Sequence, residues 1–262
     1  MATAIGNLFD VKGRIALVTG GSSGIGLMIA KALVTNGARV IITALPTDPI
    51  DAAVRELAAL GRPSGGTAEG FPTDLASKPA IAALAAHLTD ALRLPRLDVL
   101  VSNAGVRRDP PAPCAVAAAA LPELQASMWS HRAADWADTF AVNTTAHYFL
   151  SVALVHLLAA AADRDVEVVR VEAAPEGGGG EGGSVTTTTT TTTTTVKGRE
   201  LGCGSVVVTS SCASMHNCTN VDLTSYAASK AATDHLVAML AAKFARWYSS
   251  WGEFQNQYSN YS

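Results

Sequence analysis

The stretch "RIALVTGGSSGIGLMIAKALVTNGA", Arg14 to Ala38, limits the possible folds more than any other part of the chain. A short β-rich apolar run stops at a glycine, as a buried parallel strand does. Apolar residues then recur at helical spacing and end at Asn36-Gly37, a helix C-cap signal. Between them lies "TGGSSGIG", Thr19 to Gly26. Gly20, Gly24 and Gly26 let the backbone turn sharply and approach a ligand with no Cβ in the way. The following helix N-terminus presents unpaired N–H groups and a positive dipole end, which suit a pyrophosphate.

The same alternation continues along the chain. "RVIIT" reads as a second strand, and "TDPIDAAVRELAALG" as a helix with Asp48 at the N-cap and Pro49 at N1. "GFPTD" reads as a third strand, and "SKPAIAALAAHLTDAL" as a helix opened by a serine cap. "LDVLVSNAG" is a fourth strand, Ala133 to Ala162 one long helix, "SVVVTSS" a fifth strand, and Ser225 to Trp247 a last helix. Strands separated by helices of this length predict an α/β fold, a doubly wound parallel sheet covered on both faces.

Two stretches break the rhythm. Residues 107–132 form an insertion that leaves the carboxyl end of strand four, and so sits on the side where open parallel sheets bind ligands. Residues 175–200, glycine-rich and then ten threonines, are low-complexity and are expected to form a disordered loop entering strand five from its far end.

Composition excludes several roles. A net charge of −3 gives no electrostatic reason for a nucleic-acid or anionic-membrane partner. The longest apolar run, Phe149 to Ala162, falls short of the ~20 residues that span a bilayer. The N-terminus has no basic and apolar leader pattern. Cys114, Cys203, Cys212 and Cys218 show no metal or CxxC spacing, and reduced thiols point to the cytoplasm. The six histidines have no paired-ligand spacing, so no metal is assigned.

The chemistry is concentrated in "TSYAASKAATDHL", Thr224 to Leu236. Tyr226 and Lys230 are four apart, so a helix places them on one face. A free phenol keeps its proton up to about pH 10, and a nearby ammonium favours the phenolate. Such a pair is suited to giving or taking a proton at an alcohol oxygen. Upstream, Ser210 and Ser211 end strand five, where a hydroxyl can hold a substrate oxygen. Asn143 in "FAVNTTAHY" is placed to anchor a relay water. Asp74 in "TDL" can accept from an adenine amine, and "NAG", Asn103 to Gly105, offers a small-residue turn beside an adenosine. At the end of strand two, Thr43-Ala44-Leu45 carry no acid to repel a 2′-phosphate, which favours NADP(H) over NAD(H).

With "TGGSSGIG", "DL", "NAG", "N", "SS" and "YAASK" in this order, the chain resembles the short-chain dehydrogenase/reductase family over about residues 9–247. The resemblance implies a Rossmann-like three-layer αβα domain over 1–262 and an oxidoreductase moving a hydride between NADP(H) and a small carbonyl or alcohol. Tyr226 would be the acid/base and Lys230 its helper on the nicotinamide ribose. Ser211 would orient the substrate, and Asn143 would hold the relay. Gly20, Ser22, Ser23, Gly24, Ile25 and Gly26 would bind the pyrophosphate, with Asp74, Leu75, Asn103 and Gly105 around the cofactor. The long helices would pack a homo-oligomer. Beyond Ser249 the polar, aromatic tail 249–262 lacks strand character, so the sheet is expected to lack the family's usual last two strands. The alternative reading is a dinucleotide-binding scaffold without turnover, or a shortened chain that folds poorly.

Overall fold

The computed structural model describes residues 11–173, 189–215 and 222–247. Its centre is a parallel sheet built from β1 (Ile15–Thr19), β2 (Arg39–Ala44), β3 (Thr67–Pro72), β4 (Val99–Ser102) and β7 (Ser205–Val208), in the order β3-β2-β1-β4-β7. The chain steps outward from β1 to β3, then returns to the other side of β1. The direction of winding therefore reverses between β1 and β4, where a crevice opens at the carboxyl ends.

Alternation along each strand makes the layers. In β1, Leu17 belongs to one buried cluster and Val18 to the other; in β2, Ile41 and Ile42 divide the same way. On one face α1 (Gly24–Thr35) and α2 (Ile50–Gly61) supply Ala30, Val34 and Leu57. On the other, α3 (Lys78–Ala86) supplies Leu84, and two later helices with the residue that joins them supply Leu150, Leu154 and Leu158. Each fully buried leucine contributes about 1.5–3 kcal/mol of transfer free energy, so the register is strongly specified on both faces.

The predicted α/β sheet and its element order are observed, with differences that have local causes. Asp48 does not cap α2, whose N-cap is Pro49 without a side-chain bond. Its carboxylate instead accepts from Leu45 N at 3.1 Å and closes the turn leaving β2. Ser77 does cap α3, accepting from Ala80 N at 3.3 Å. The single helix expected over 133–162 is three helices: α5 (Ala133–Phe140), α6 (Ala146–Ala153) and α7 (Val155–Asp163). A π-turn, Ala141–Thr145, joins the first two, and the axis bends by 57° before α7. Apolar periodicity does not register either break, because the apolar stripe resumes beyond each. The insertion carries α4 (Leu121–Trp129), and the last described helix is α8 (Thr224–Phe244). Among the described residues no single helix is long and apolar enough to cross a membrane.

The disordered loop expected over 175–200 is corrected in part. β5 (Asp165–Ala173) pairs antiparallel with β6 (Thr189–Lys197), Val166 opposite Val196 and Val169 opposite Thr193. Threonine is β-branched and favours a pleated strand, so a run of it pairs readily once a valine-rich partner is adjacent. Lys197 pins the base of the hairpin through Asp165 at 2.8 Å and the Asp163 carbonyl at 2.9 Å. The hairpin enters β7 from its amino end, remote from the crevice. Residues 174–188 and the tail 249–262 lie outside the described residues, as does Cys218.

Candidate active site

The crevice at the strand ends holds a cleft of about 930 Å³. Its floor is set by β1. Gly20, with φ of +64°, and Gly24, with φ of +53°, fold the segment after β1 back on itself in a conformation that side-chain-bearing residues avoid. Ser23, the extended N-cap of α1, makes no side-chain cap bond. The amino end of α1 opens on the cleft, with Ser22, Ser23, Gly24 and Ile25 in its lining. Gly26 does not line the cleft. A Cβ there would fall against the Gly20 carbonyl oxygen and within 2.7 Å of Asn103 Nδ2, so this glycine serves packing.

Asp74 and Leu75 line the end of the cleft near β2 and β3, together with Asp48. Asp74 Oδ1 accepts from Ala76 N at 3.0 Å. Asn103 staples three strand ends. Its N–H donates to Thr19 Oγ1 at 2.8 Å, its Nδ2 to the Thr19 carbonyl at 3.1 Å, and its Oδ1 accepts from the Thr209 hydroxyl at 3.1 Å. Gly105 is needed for close approach, since a Cβ would stand 3.2 Å from Asn143 Oδ1 and 3.5 Å from Lys230 Nζ.

α8 brings Tyr226 and Lys230 to the opposite wall of the cleft. Lys230 Nζ stands 5.9 Å from the Tyr226 ring centroid. The ammonium is 2 % exposed and donates to the Thr209 carbonyl at 2.8 Å. Burial lowers its hold on the proton, and Asp234 one turn along the helix opposes that. Ser211 Oγ accepts from Ala213 N at 3.2 Å and caps a short turn, which leaves its own hydroxyl proton for a ligand. Among the described residues, Ser210 Oγ reaches the Lys230 carbonyl, at 3.5 Å. Both serines line the cleft.

Asn143, expected to anchor a relay water, lies in the π-turn between α5 and α6. It is fully buried in the π-turn, below the cleft rather than in its wall. Its Oδ1 accepts from Val106 N at 2.7 Å, and its Nδ2 donates to the Val106 carbonyl at 2.9 Å and to Ser229 Oγ at 3.0 Å. The side chain clamps the backbone after Gly105 to α8. π-turns often aim a residue at a functional site, and this one aims the clamp.

Several residues were missed from the sequence. Buried His147 bonds through Nδ1 to Ser102 Oγ at 2.6 Å, and burial with the Lys230 charge pushes its pKa down to about 3. Its position four residues after Asn143 was the available signal. In the insertion, Arg107 and Arg108 line the cleft and pair with Asp109 at 2.6 Å and Asp138 at 2.5 Å. His131 Nε2 meets Asp222 Oδ2 at 2.9 Å, tying the insertion to the start of α8. No sequence spacing announces that contact.

The chemistry of these residues fits a nicotinamide dinucleotide. A glycine cradle with open N–H groups suits its pyrophosphate, and the tyrosine–lysine pair suits an alcohol oxygen. Comparison with known proteins agrees. A family model, short chain dehydrogenase, matches residues 14–174. The short-chain dehydrogenase/reductase PhomF of Diaporthe leptostromiformis is 37% identical over 152 residues, 58% of this chain and 49% of that protein. VdtF of Byssochlamys spectabilis, of the same description, is 29% identical over 249 residues, 94% of this chain and 73% of that one. The chain thus spans about half the length of the Diaporthe relative. Among solved structures, the Pseudomonas aeruginosa RhlG/NADP active-site complex has a TM-score of 0.62 at 27% identity, over 92% of this chain and 71% of that one. A metagenomic short-chain oxidoreductase in complex with NADP has a TM-score of 0.61 at 27% identity, over 90% and 79%. A parallel sheet wound in both directions from β1, a glycine cradle at its switch point and a family match over most of the sheet lead to one assignment: the chain belongs to the short chain dehydrogenase family.

Proposed function

We propose that the chain is an NADP(H)-dependent oxidoreductase acting on a small carbonyl or alcohol, with Tyr226 as its acid/base. One observation carries this reading: Tyr226 and Lys230 face, from one side of α8, the cleft that the glycine loop lines from the other. When bound, the dinucleotide supplies or accepts the hydride. The protein's residues do the rest. Tyr226 gives a proton to the substrate oxygen in reduction and takes one in oxidation. Lys230, held by the Thr209 carbonyl, keeps a positive charge beside the phenol. The free hydroxyl proton of Ser211 donates to the same substrate oxygen and orients it. Asn143 keeps Gly105 and Val106 against α8 so that the cleft retains its width.

NADP(H) is the proposed form. Two similar structures contain NADP, and Thr43, Ala44 and Leu45 carry no acid. Asp48 lines the same end of the cleft, but its carboxylate is turned into the Leu45 N–H. Tighter binding of NAD⁺ than of NADP⁺ would overturn the choice. We also assign the protein to the cytoplasm, in keeping with free thiols at Cys114, Cys203 and Cys212. Exposed Tyr148 and Val152 on α6 and Met239 on α8 support a homo-oligomer packed through those helices.

The test is nicotinamide absorbance followed with NADPH and a panel of ketones and aldehydes. Tyr226→Phe is expected to lose about 10²–10⁴-fold in turnover while still binding the dinucleotide. Parental turnover in that variant ends the reading. A dinucleotide-binding scaffold is the second reading, since the glycine loop lines the cleft whether or not turnover follows. It predicts dinucleotide binding by calorimetry with no carbonyl reduced.

A further inference from the structure

Thr209 closes β7 and carries two bonds that lead in opposite directions. Its carbonyl accepts from Lys230 Nζ at 2.8 Å, and its hydroxyl meets Asn103 Oδ1 at 3.1 Å. Asn103 in turn holds the Thr19 carbonyl through Nδ2 at 3.1 Å. Thr19 is the residue before Gly20, so its carbonyl starts the turn of the glycine loop. The Thr19 carbonyl can only accept, which fixes the Asn103 amide with nitrogen towards Thr19 and oxygen towards Thr209. The Thr209 hydroxyl must therefore be the donor. Thr209 N–H is also held, by the Ser102 carbonyl at 3.1 Å.

These bonds form one transverse chain across the carboxyl ends of β1, β4 and β7, ending on a buried ammonium. Every link but the last joins strand ends that bound the dinucleotide side of the cleft. We propose that Thr209 is a positioning residue: its hydroxyl fixes the carbonyl that holds Lys230, and so ties the setting of the glycine loop to the setting of the acid/base pair. The proposal rests on the reading of Lys230 as the helper of Tyr226. Thr209 itself gives no proton and touches no reacting atom.

The physical reason is orientational. A strand-end carbonyl with nothing beyond it on the strand can swing about its backbone dihedrals. Here the peptide N–H and the side-chain hydroxyl of the same residue are both tied, which removes that freedom. Thr209→Val keeps the branched shape but loses the donor, and leaves Asn103 Oδ1 without its partner. Thr209→Ser keeps the donor and loses a methyl group.

The experiment uses the full chain labelled with ¹⁵N-lysine, with the Nζ signal of Lys230 identified by its loss in Lys230→Arg. In Thr209→Val that signal is expected to shift or to broaden away through faster proton exchange, and in Thr209→Ser to stay at the parental position. NADP⁺ titrated by calorimetry should bind about fivefold to tenfold more weakly to the valine variant and unchanged to the serine variant. An unchanged Lys230 signal in Thr209→Val overturns the proposal, and so does a serine variant that behaves like the valine one. Should the valine variant not fold by circular dichroism, Thr209→Ala carries the same comparison. A parental chain that binds neither NADP⁺ nor NAD⁺ would refute the functional reading instead, while the Lys230 signal still decides the role of Thr209.

Discussion

Single residues in this protein act through what surrounds them, and three of them make the point measurable. Asp98 is fully buried and binds Ile15 N at 2.9 Å, Arg96 at 3.1 Å and Arg164 at 3.3 Å. Asp98→Ala removes the buried carboxylate that all three share at the amino end of the sheet and leaves Ile15 N–H without its acceptor. The expected loss is about 3–5 kcal/mol, read as a lower urea midpoint. His147 has the opposite liability. Its folded pKa, about 3, lies below the ordinary histidine value of 6.5, so the unfolded chain takes up its proton first. The stability this neutral histidine allows is complete above about pH 6.5 and is lost as the pH falls towards its folded pKa. The slope from this group approaches 1.4 kcal/mol per pH unit, and melting curves of His147→Gln should be flatter between pH 6.5 and 4 than those of the parent. Gly26→Ala pushes a methyl into the Gly20 carbonyl. Overpacking of this kind costs about 1–3 kcal/mol and should weaken dinucleotide binding in calorimetry, because the loop itself must shift. Gly20, Gly24, Tyr226 and Lys230 were legible in the sequence because glycine spacing and helical period carry their meaning locally. Thr209, Ser102 and Asp48 were not, since each acquires its role from a residue distant in the chain or from a turn that spacing does not specify.

Elements divide in the same way. β1, β2 and β4 are short apolar runs buried on both faces, and their existence follows from the local sequence pattern alone. The break of the 133–162 helix does not. Asn143 must clamp Val106 while the residues beyond it still face the core, and a π-turn supplies the extra residue that reconciles the two. The β5–β6 hairpin shows the converse error. Threonine repeats read as low complexity, yet a valine-rich strand across from them makes a ladder. Because its base is pinned at Asp165 and Lys197, the hairpin should be separable from the cleft. Replacing residues 167–195 with Asn-Gly joins Val166 to Val196 through a two-residue turn that suits their register. Dinucleotide affinity by calorimetry is expected to stay within about twofold of the parent, less than 0.5 kcal/mol.

At the scale of the whole molecule, the cleft is the place where two packed halves meet. α1 and the glycine loop belong to one wall and α8 to the other, and Thr19, Asn103 and Thr209 connect them across the sheet. A ligand that touches both walls binds the folded chain and not the unfolded one. NADP⁺ at about a hundred times its dissociation constant should therefore stabilise the protein by about 2.7 kcal/mol, visible as a raised melting temperature. No such rise with either dinucleotide would count against the cleft as their site. From the sequence alone came the strand–helix order, the parallel sheet, the glycine bend and the shared face of Tyr226 and Lys230, because these depend on short-range periodicity and backbone sterics. Tertiary structure alone decided that a Cβ at Gly26 would meet the Gly20 carbonyl, that Asn143 clamps backbone, that Asp48 closes a turn, and that Thr209 holds the lysine. Those roles depend on which strand ends lie side by side, and a linear order of residues carries that information only through the folded sheet.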